Sequence, residues 1–297
     1  MRCDKEKETG SFRFRRYKLP PEAFLVGRGH ETEPTDLVDE ETWESLTCLP
    51  DDVSLRISEH HGTLLQKANQ VLEHWIAMVL DLQQLTSAQD VLVIACSDAF
   101  DDFQASVYAM LTGFYRQSIS ALRTALEEVL AGIYFKVCPD EEKEEKWKTG
   151  APEGRLSVRE IRQRLTQKEP FSSLEEEKQS IFEKHGWIDD LYSKLSAFIH
   201  GRPSYRDKKG RHIPASNVRL WGGSSGPVYE PRAISLWSDL FFDTALLCLL
   251  LVSLAEQKLP KLERLTDVDF TQFLTRLLSW HPQPRPVARK IVPKITD

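Results

Sequence analysis

Between Phe114 and Val137 the chain reads as a helix with almost no face left for water. At about 100° per residue, Ile119, Leu122, Leu126, Val129, Ile133 and Val137 gather on one side. Ala121, Ala125, Ala131 and Gly132 cover much of the rest, so neighbouring backbones can approach closely there. Such a helix is expected to be buried on more than one face. Yet Arg116, Ser120, Arg123 and Glu127 fall at i, i+4, i+7 and i+11, in one narrow band beside the apolar side. Charges in those surroundings must be paired or must meet water in a cleft.

The same period runs through most of the chain and predicts an all-α helical bundle. A long amphipathic helix is expected from Leu55 to Leu85, with Leu64, Leu65, Ala68, Val71, Leu72, Trp75, Ile76, Val79 and Leu82 on its apolar face. His60, His61 and His74 lie on or beside it without a ligand partner at metal spacing and read as surface histidines. Residues 87–137 read as two helices, or as one interrupted near Gly113. Composition shifts at Cys138, and 138–186 reads as a charged insertion packed outside the core. It has room for helices at 157–167 and 173–184, the second opened by a capping box, Ser173 with Glu176. A helix over Trp187–His200 follows, stopped by Gly201 and Pro203. A basic, Gly-rich linker spans 202–230 and has room for one small β-hairpin. Pro231 opens a helix to about Gln257, and a last helix covers 267–279.

Outside this single helical domain (41–280), residues 1–40 read as a poorly ordered lead-in. Ser11–Lys18 within it alternates aromatic and basic residues. Residues 281–297 read as a mobile tail. The most apolar run, Thr244–Ala255, is 12 residues long, against the roughly 20 a membrane span requires, and reads as a buried core helix. Nothing near Met1 resembles a signal peptide, so a cytoplasmic protein without membrane contact is expected. Hydrophobic residues at 41% and charged residues at 28% place it among ordinary globular proteins. A net charge of −6 excludes a basic protein that coats nucleic acid, so any polyanion site must be a local patch. Cys3, Cys48, Cys96, Cys138 and Cys248 show no CxxC or Cys/His spacing and are expected as free thiols, with no metal or cofactor. Gly222-Gly223-Ser224-Ser225-Gly226 lacks the Lys-Ser/Thr of a P-loop and reads as a turn.

The Trp187–His200 helix carries its own polar band, Asp189, Ser193, Ser196 and His200, again at i, i+4, i+7 and i+11. His200 ends the helix, where the dipole favours its protonated form. If the two bands face each other, Arg123, Glu127, Ser196 and His200 converge. An arginine there holds phosphate and a histidine moves a proton. Directly after it, Arg202, Arg206, Lys208, Lys209 and Arg211 stand against Asp207 alone, and Tyr205 among them is suited to stack on a base.

FYRQSISALRTALEEVLAGIYF (114–135) paired with LYSKLSAFIHGRPSY (191–205), and then a long apolar helix, resembles the HEPN-like helical proteins across residues 90–257. It is similar to uncharacterised bacterial members in which an Arg-…-Glu helix faces one ending in Ser-x-x-x-His-Gly. The resemblance implies a helical bundle, a homodimer, and a metal-independent ribonuclease or RNA-binding component of a toxin or phage-defence system. It also implies His200 as general acid or base at a ribose 2′-OH, Arg123 or Arg202 on the phosphate, and Glu127 orienting the arginine. Arg116, Ser196, Tyr205 and Arg206 would line the substrate. The family's RNase motif has an arginine shortly before the histidine; here Lys194, Leu195 and Ser196 stand there. Arg123 is therefore the arginine expected to take that part. The alternative that stays open is a non-catalytic interaction module in which the Arg/Glu/His cluster is structural.

Overall fold

A computed structural model describes residues 48–199, 204–206, 212–214, 227–259, 270–280 and 285–296. The lead-in 1–40 with its Ser11–Lys18 stretch, the glycine-rich turn, His200 and Arg202 lie outside the described residues, as do the side chains of Tyr205 and Arg206.

The fold is an all-α bundle. Its helices are α1 (Leu49–Leu85), α2 (Val91–Leu111), α3 (Tyr115–Val137), α4 (Glu141–Lys148), α5 (Val158–Leu165), α6 (Glu175–Phe182) and α7 (Trp187–Ile199). After them come α8 (Pro231–Ala255), α9 (Phe270–Trp280) and α10 (Pro286–Thr296). Between α7 and α8, β1 (Ser204–Arg206) pairs antiparallel with β2 (His212–Pro214), Tyr205 opposite Ile213, in the linker expected to hold a hairpin.

Helix α3 lies at the centre, with α2, α5, α7 and α8 packed around it. This follows from its coat of apolar and small side chains: Ile119, Leu122, Ala125, Leu126, Val129, Leu130 and Ile133 are all at 0% exposure. Helix α1 covers α2 and bends at His61, whose backbone leaves the helical region (φ −129°, ψ 25°) just before Gly62. The break expected near Gly113 is real. Gly113 turns the chain at φ +83°, and a Cβ there would lie 2.7 Å from the Val228 amide nitrogen, so only glycine fits.

The antiparallel α2–α3 pair is fastened where α2 begins and α3 ends. Asp90 caps α2 through the Leu92 amide (2.9 Å) and pairs with Lys136 Nζ at 2.8 Å. Among the described residues three tryptophans are fully buried, and each indole N–H is satisfied. Trp75 donates to the Cys96 carbonyl (2.7 Å), Trp237 to Ser106 Oγ (2.9 Å) and Trp187 to Asp243 Oδ1 (2.8 Å). An aromatic chain, Trp75–Phe103–Phe241–Trp237, with centroids 4.8, 5.6 and 4.9 Å apart, joins α1, α2 and α8.

The structure departs from the sequence reading in three places. The charged segment 138–186 is more than an external insertion: Val158, Ile161, Leu165, Phe171, Ile181 and Phe182 join the main core, and it holds one helix, α4, that periodicity did not suggest. The capping box at Ser173 is not made. Helix α6 starts two residues later with Leu174 as its cap, and Ser173 Oγ donates to the Pro170 carbonyl instead. In the tail expected to be mobile, residues 285–296 are not loose. They include α10, whose Val287, Ala288, Ile291 and Val292 are buried against α6, α8 and α9. Proline at the first turn is compatible with a helix, and the apolar spacing of this stretch is helical once a core is there to receive it.

Helix α8 is long and apolar enough to cross a membrane by length and composition, but 78% of its most apolar window is buried inside the fold. Cys48, Cys96, Cys138 and Cys248 are free thiols.

Candidate functional site at the α3–α7 contact

Helices α3 and α7 pack against each other. The start of α7 lies by α5, through Asp189 and Arg162 Nη2 at 3.2 Å, and α5 also packs on α3. Further along α7, Tyr192 reaches Arg123 and Glu127. Arg123 donates to Glu127 Oε1 from Nε (3.1 Å) and from Nη2 (2.9 Å). The same Nη2 donates to the Tyr192 hydroxyl (2.9 Å), which itself donates to Glu127 Oε1 (2.9 Å). The phenol ring also lies under the guanidinium, 5.0 Å from Cζ to its centroid.

The triangle is partly open, with the Arg123 side chain 15% exposed and that of Glu127 37% exposed. Burial draws the Arg123 pKa down, but the charge and hydrogen bond of Glu127, followed by Tyr192, outweigh it and hold the pKa above the ordinary value. Burial and then the Glu127 charge raise the Tyr192 phenol. The result is a guanidinium that stays charged and is held in one orientation.

Of the residues singled out from sequence, Arg123 and Glu127 are thus joined. Ser196 lies one turn beyond Tyr192, about 40° further round α7. It is 4% exposed, and its hydroxyl has no partner among the described residues. Arg116 is exposed two turns earlier on α3, about 10 Å along the axis. The facing of the two polar bands is offset from the sequence expectation. Asp189 turns instead to α5 and to the His185 amide (2.9 Å), and Tyr192, outside the polar band, supplies the group that meets α3. A tyrosine serves both purposes, with an apolar body and a polar tip. Its place one turn before Ser196 was the signal available in sequence.

Two further charged groups were not foreseen. Asp98 and Asp102 of α2 face Glu128 of α3. Burial, then Asp98, Asp102 and Glu127, push Glu128 up to about 7; burial, then Asp101 and Asp98, push Asp102 up to about 6. The second group lies at the far side of α7. Arg285 Nη2 donates to Asp190 Oδ2 (2.9 Å) and to Asp243 Oδ2 (3.3 Å), and Lys194 Nζ stands 3.5 Å from Asp190. An aspartate inside the apolar α8 requires such a partner, which was the clue to it. Of the three helix-borne histidines, His61 Nε2 lies 3.2 Å from the Tyr229 hydroxyl, and His74 stacks on Phe273 at 3.7 Å.

A depression of about 440 Å³ on α5 is lined by Glu160, Gln163, Arg164, Thr166 and Gln167, all from one helix and the turn after it. Among the described residues no group of three or more His, Cys, Asp or Glu side chains is arranged to hold a metal ion. Compared with known proteins, the chain matches no family model, no curated protein and no solved structure.

Proposed function

We propose that this chain is a HEPN-like helical protein that acts on RNA, as a metal-independent ribonuclease or as the RNA-binding component of a bacterial toxin or phage-defence system. In this reading it works in the cytoplasm as a homodimer. The observation that carries the reading is Arg123, a guanidinium kept charged and oriented by Glu127 and Tyr192 at a partly open point between α3 and α7. Arg123 neutralises a phosphate, and Glu127 and Tyr192 hold it in place. His200, one turn beyond Ser196 in sequence, moves the proton of a ribose 2′-OH, with Arg202 and Arg206 along the backbone and Tyr205 stacked on a base. Arg116 extends the basic track on α3.

Incubating the full-length protein with single-stranded RNA in the presence of a chelator tests this. The wild type should cleave it and His200→Ala should not. Equal cleavage by both, or no cleavage and no binding by either, refutes it.

A second reading draws on a different observation. Arg123, Glu127 and Tyr192 satisfy one another, and the carboxylates Asp98, Asp102 and Glu128 nearby repel a polyanion. This arrangement suits a non-catalytic interaction module in which the cluster locks α3 to α7. His200→Ala then lowers Tm, and RNA produces no thermal shift.

A further inference from the structure

The strongest unassigned feature is the ion cluster between α7, α8 and the start of α10. Side chains of Arg285, Asp190 and Asp243 are only 8%, 9% and 10% exposed. The two carboxylates come from core helices and are held from other directions. Trp187 Nε1 donates to Asp243 Oδ1 at 2.8 Å, and Lys194 Nζ stands 3.5 Å from Asp190 Oδ2. The indole of Trp187 forms one wall, 5.7 Å from Arg285 Cζ. This is the composition of a guanidinium receptor: paired acceptors for N–H groups and an aromatic face for the flat cation. What fills it is the residue just before α10. The Arg285 Nε–H is buried and has no partner among the described residues, so the grip seen there acts through Nη2 and the ring face.

We propose that Asp190, Asp243 and Trp187 form an arginine-binding pocket that Arg285 fills in cis. The C-terminal helix α10 is then a self-ligand, docked through Arg285 together with Val287, Ala288, Ile291 and Val292. An arginine side chain on a partner peptide competes for the same pocket. A lysine does so poorly, because a compact, strongly hydrated ammonium has no flat face to lay on the indole and loses more solvation on burial. Asp190 and Trp187 sit on α7, which also carries Tyr192, so filling or emptying the pocket acts on the helix that positions Arg123.

Chemical rescue of the full-length chain tests the proposal. Arg285→Ala leaves two buried carboxylates short of a cation and should lower Tm by roughly 10 °C. It should also speed amide hydrogen exchange over residues 286–296. Millimolar methylguanidinium should recover several degrees in Arg285→Ala and re-protect those amides, while shifting the wild type no more than methylammonium does at equal concentration. The proposal is overturned if methylguanidinium and methylammonium act alike on Arg285→Ala, or if the wild type gains as much as the variant. Should Arg285→Ala fail to fold, Arg285→Gln retains a hydrogen-bonding amide without the cation and is read by the same comparison.

Discussion

At Gly132 α2 and α3 approach each other closely, and replacing it measures how tightly the scaffold under the site is packed. A methyl group built there would lie 2.4 Å from Ala95 Cβ, 3.4 Å from the Val91 carbonyl oxygen and 3.5 Å from Leu92 Cα. Non-bonded carbons settle at about 3.5–4.0 Å, so the helices would have to part by about 1 Å at this point. They are not free to do so, because Asp90 and Lys136 tie α2 to α3 nearby and the surrounding side chains are at or near 0% exposure. Glycine to alanine in a helix is worth about 1 kcal/mol in favour of alanine. Overpacking of a rigid core costs about 1–3 kcal/mol, and two backbones in contact belong at the upper end. Gly132→Ala should therefore destabilise the fold by about 1–2 kcal/mol net. Urea denaturation followed by circular dichroism should show a lower midpoint with an unchanged slope. Ala95→Gly removes the methyl that the added Cβ at position 132 would strike, and by itself costs about 1 kcal/mol in helix propensity. The double variant should be more stable than the sum of the two singles by about 1 kcal/mol or more. A Gly132→Ala protein at least as stable as the wild type, or strict additivity of the pair, would refute the close-contact argument.

Other outcomes follow from the charged groups. Tyr192→Phe keeps the ring under Arg123 but removes two hydrogen bonds, and should cost about 1–2 kcal/mol in the same urea assay, where an unchanged midpoint would count against the triangle as a lock. For Glu128, burial and neighbouring carboxylates lift the folded-state pKa from 4.5 to about 7, so the native chain keeps a proton that the unfolded chain releases. Stability should thus decline as pH rises from about 4.5 to about 7, with Asp102 contributing over a lower window that ends near 6. Glu128→Gln should raise Tm at pH 8 and have little effect at pH 5; an equal effect at both would show that the carboxyl does not titrate there. The RNA assay with His200→Ala and the guanidinium rescue of Arg285→Ala complete the set.

Much of the bundle could be read along the chain because helix formation is local. The apolar period marked α3, α7 and α8 to within a few residues and the end of α1, which begins six residues before the expected Leu55, and the small residues of α3 foretold its burial among several neighbours. The Arg123–Glu127 pair was legible for the same reason: at i and i+4 the two side chains are neighbours on any helix. The cap at Ser173 failed where a turn competed for its hydroxyl, since Ser173 bonds the Pro170 carbonyl rather than an amide of α6.

The sequence by itself determined most of the helical segments, which of their faces avoid water, and that charges on the apolar α3 would need partners. Only the tertiary structure decided who those partners are. Tyr192 meets Arg123 across 69 positions of chain, and Arg285 meets Asp190 across 95 and Asp243 across 42. Periodicity states the angle of a side chain around its own helix but not how far one helix is rotated or shifted against another. That rotation turned Asp189 towards α5 and Tyr192 towards α3. The burial of α10 has the same origin: a short amphipathic segment becomes a fixed helix only when a core built by distant residues is there to cover it.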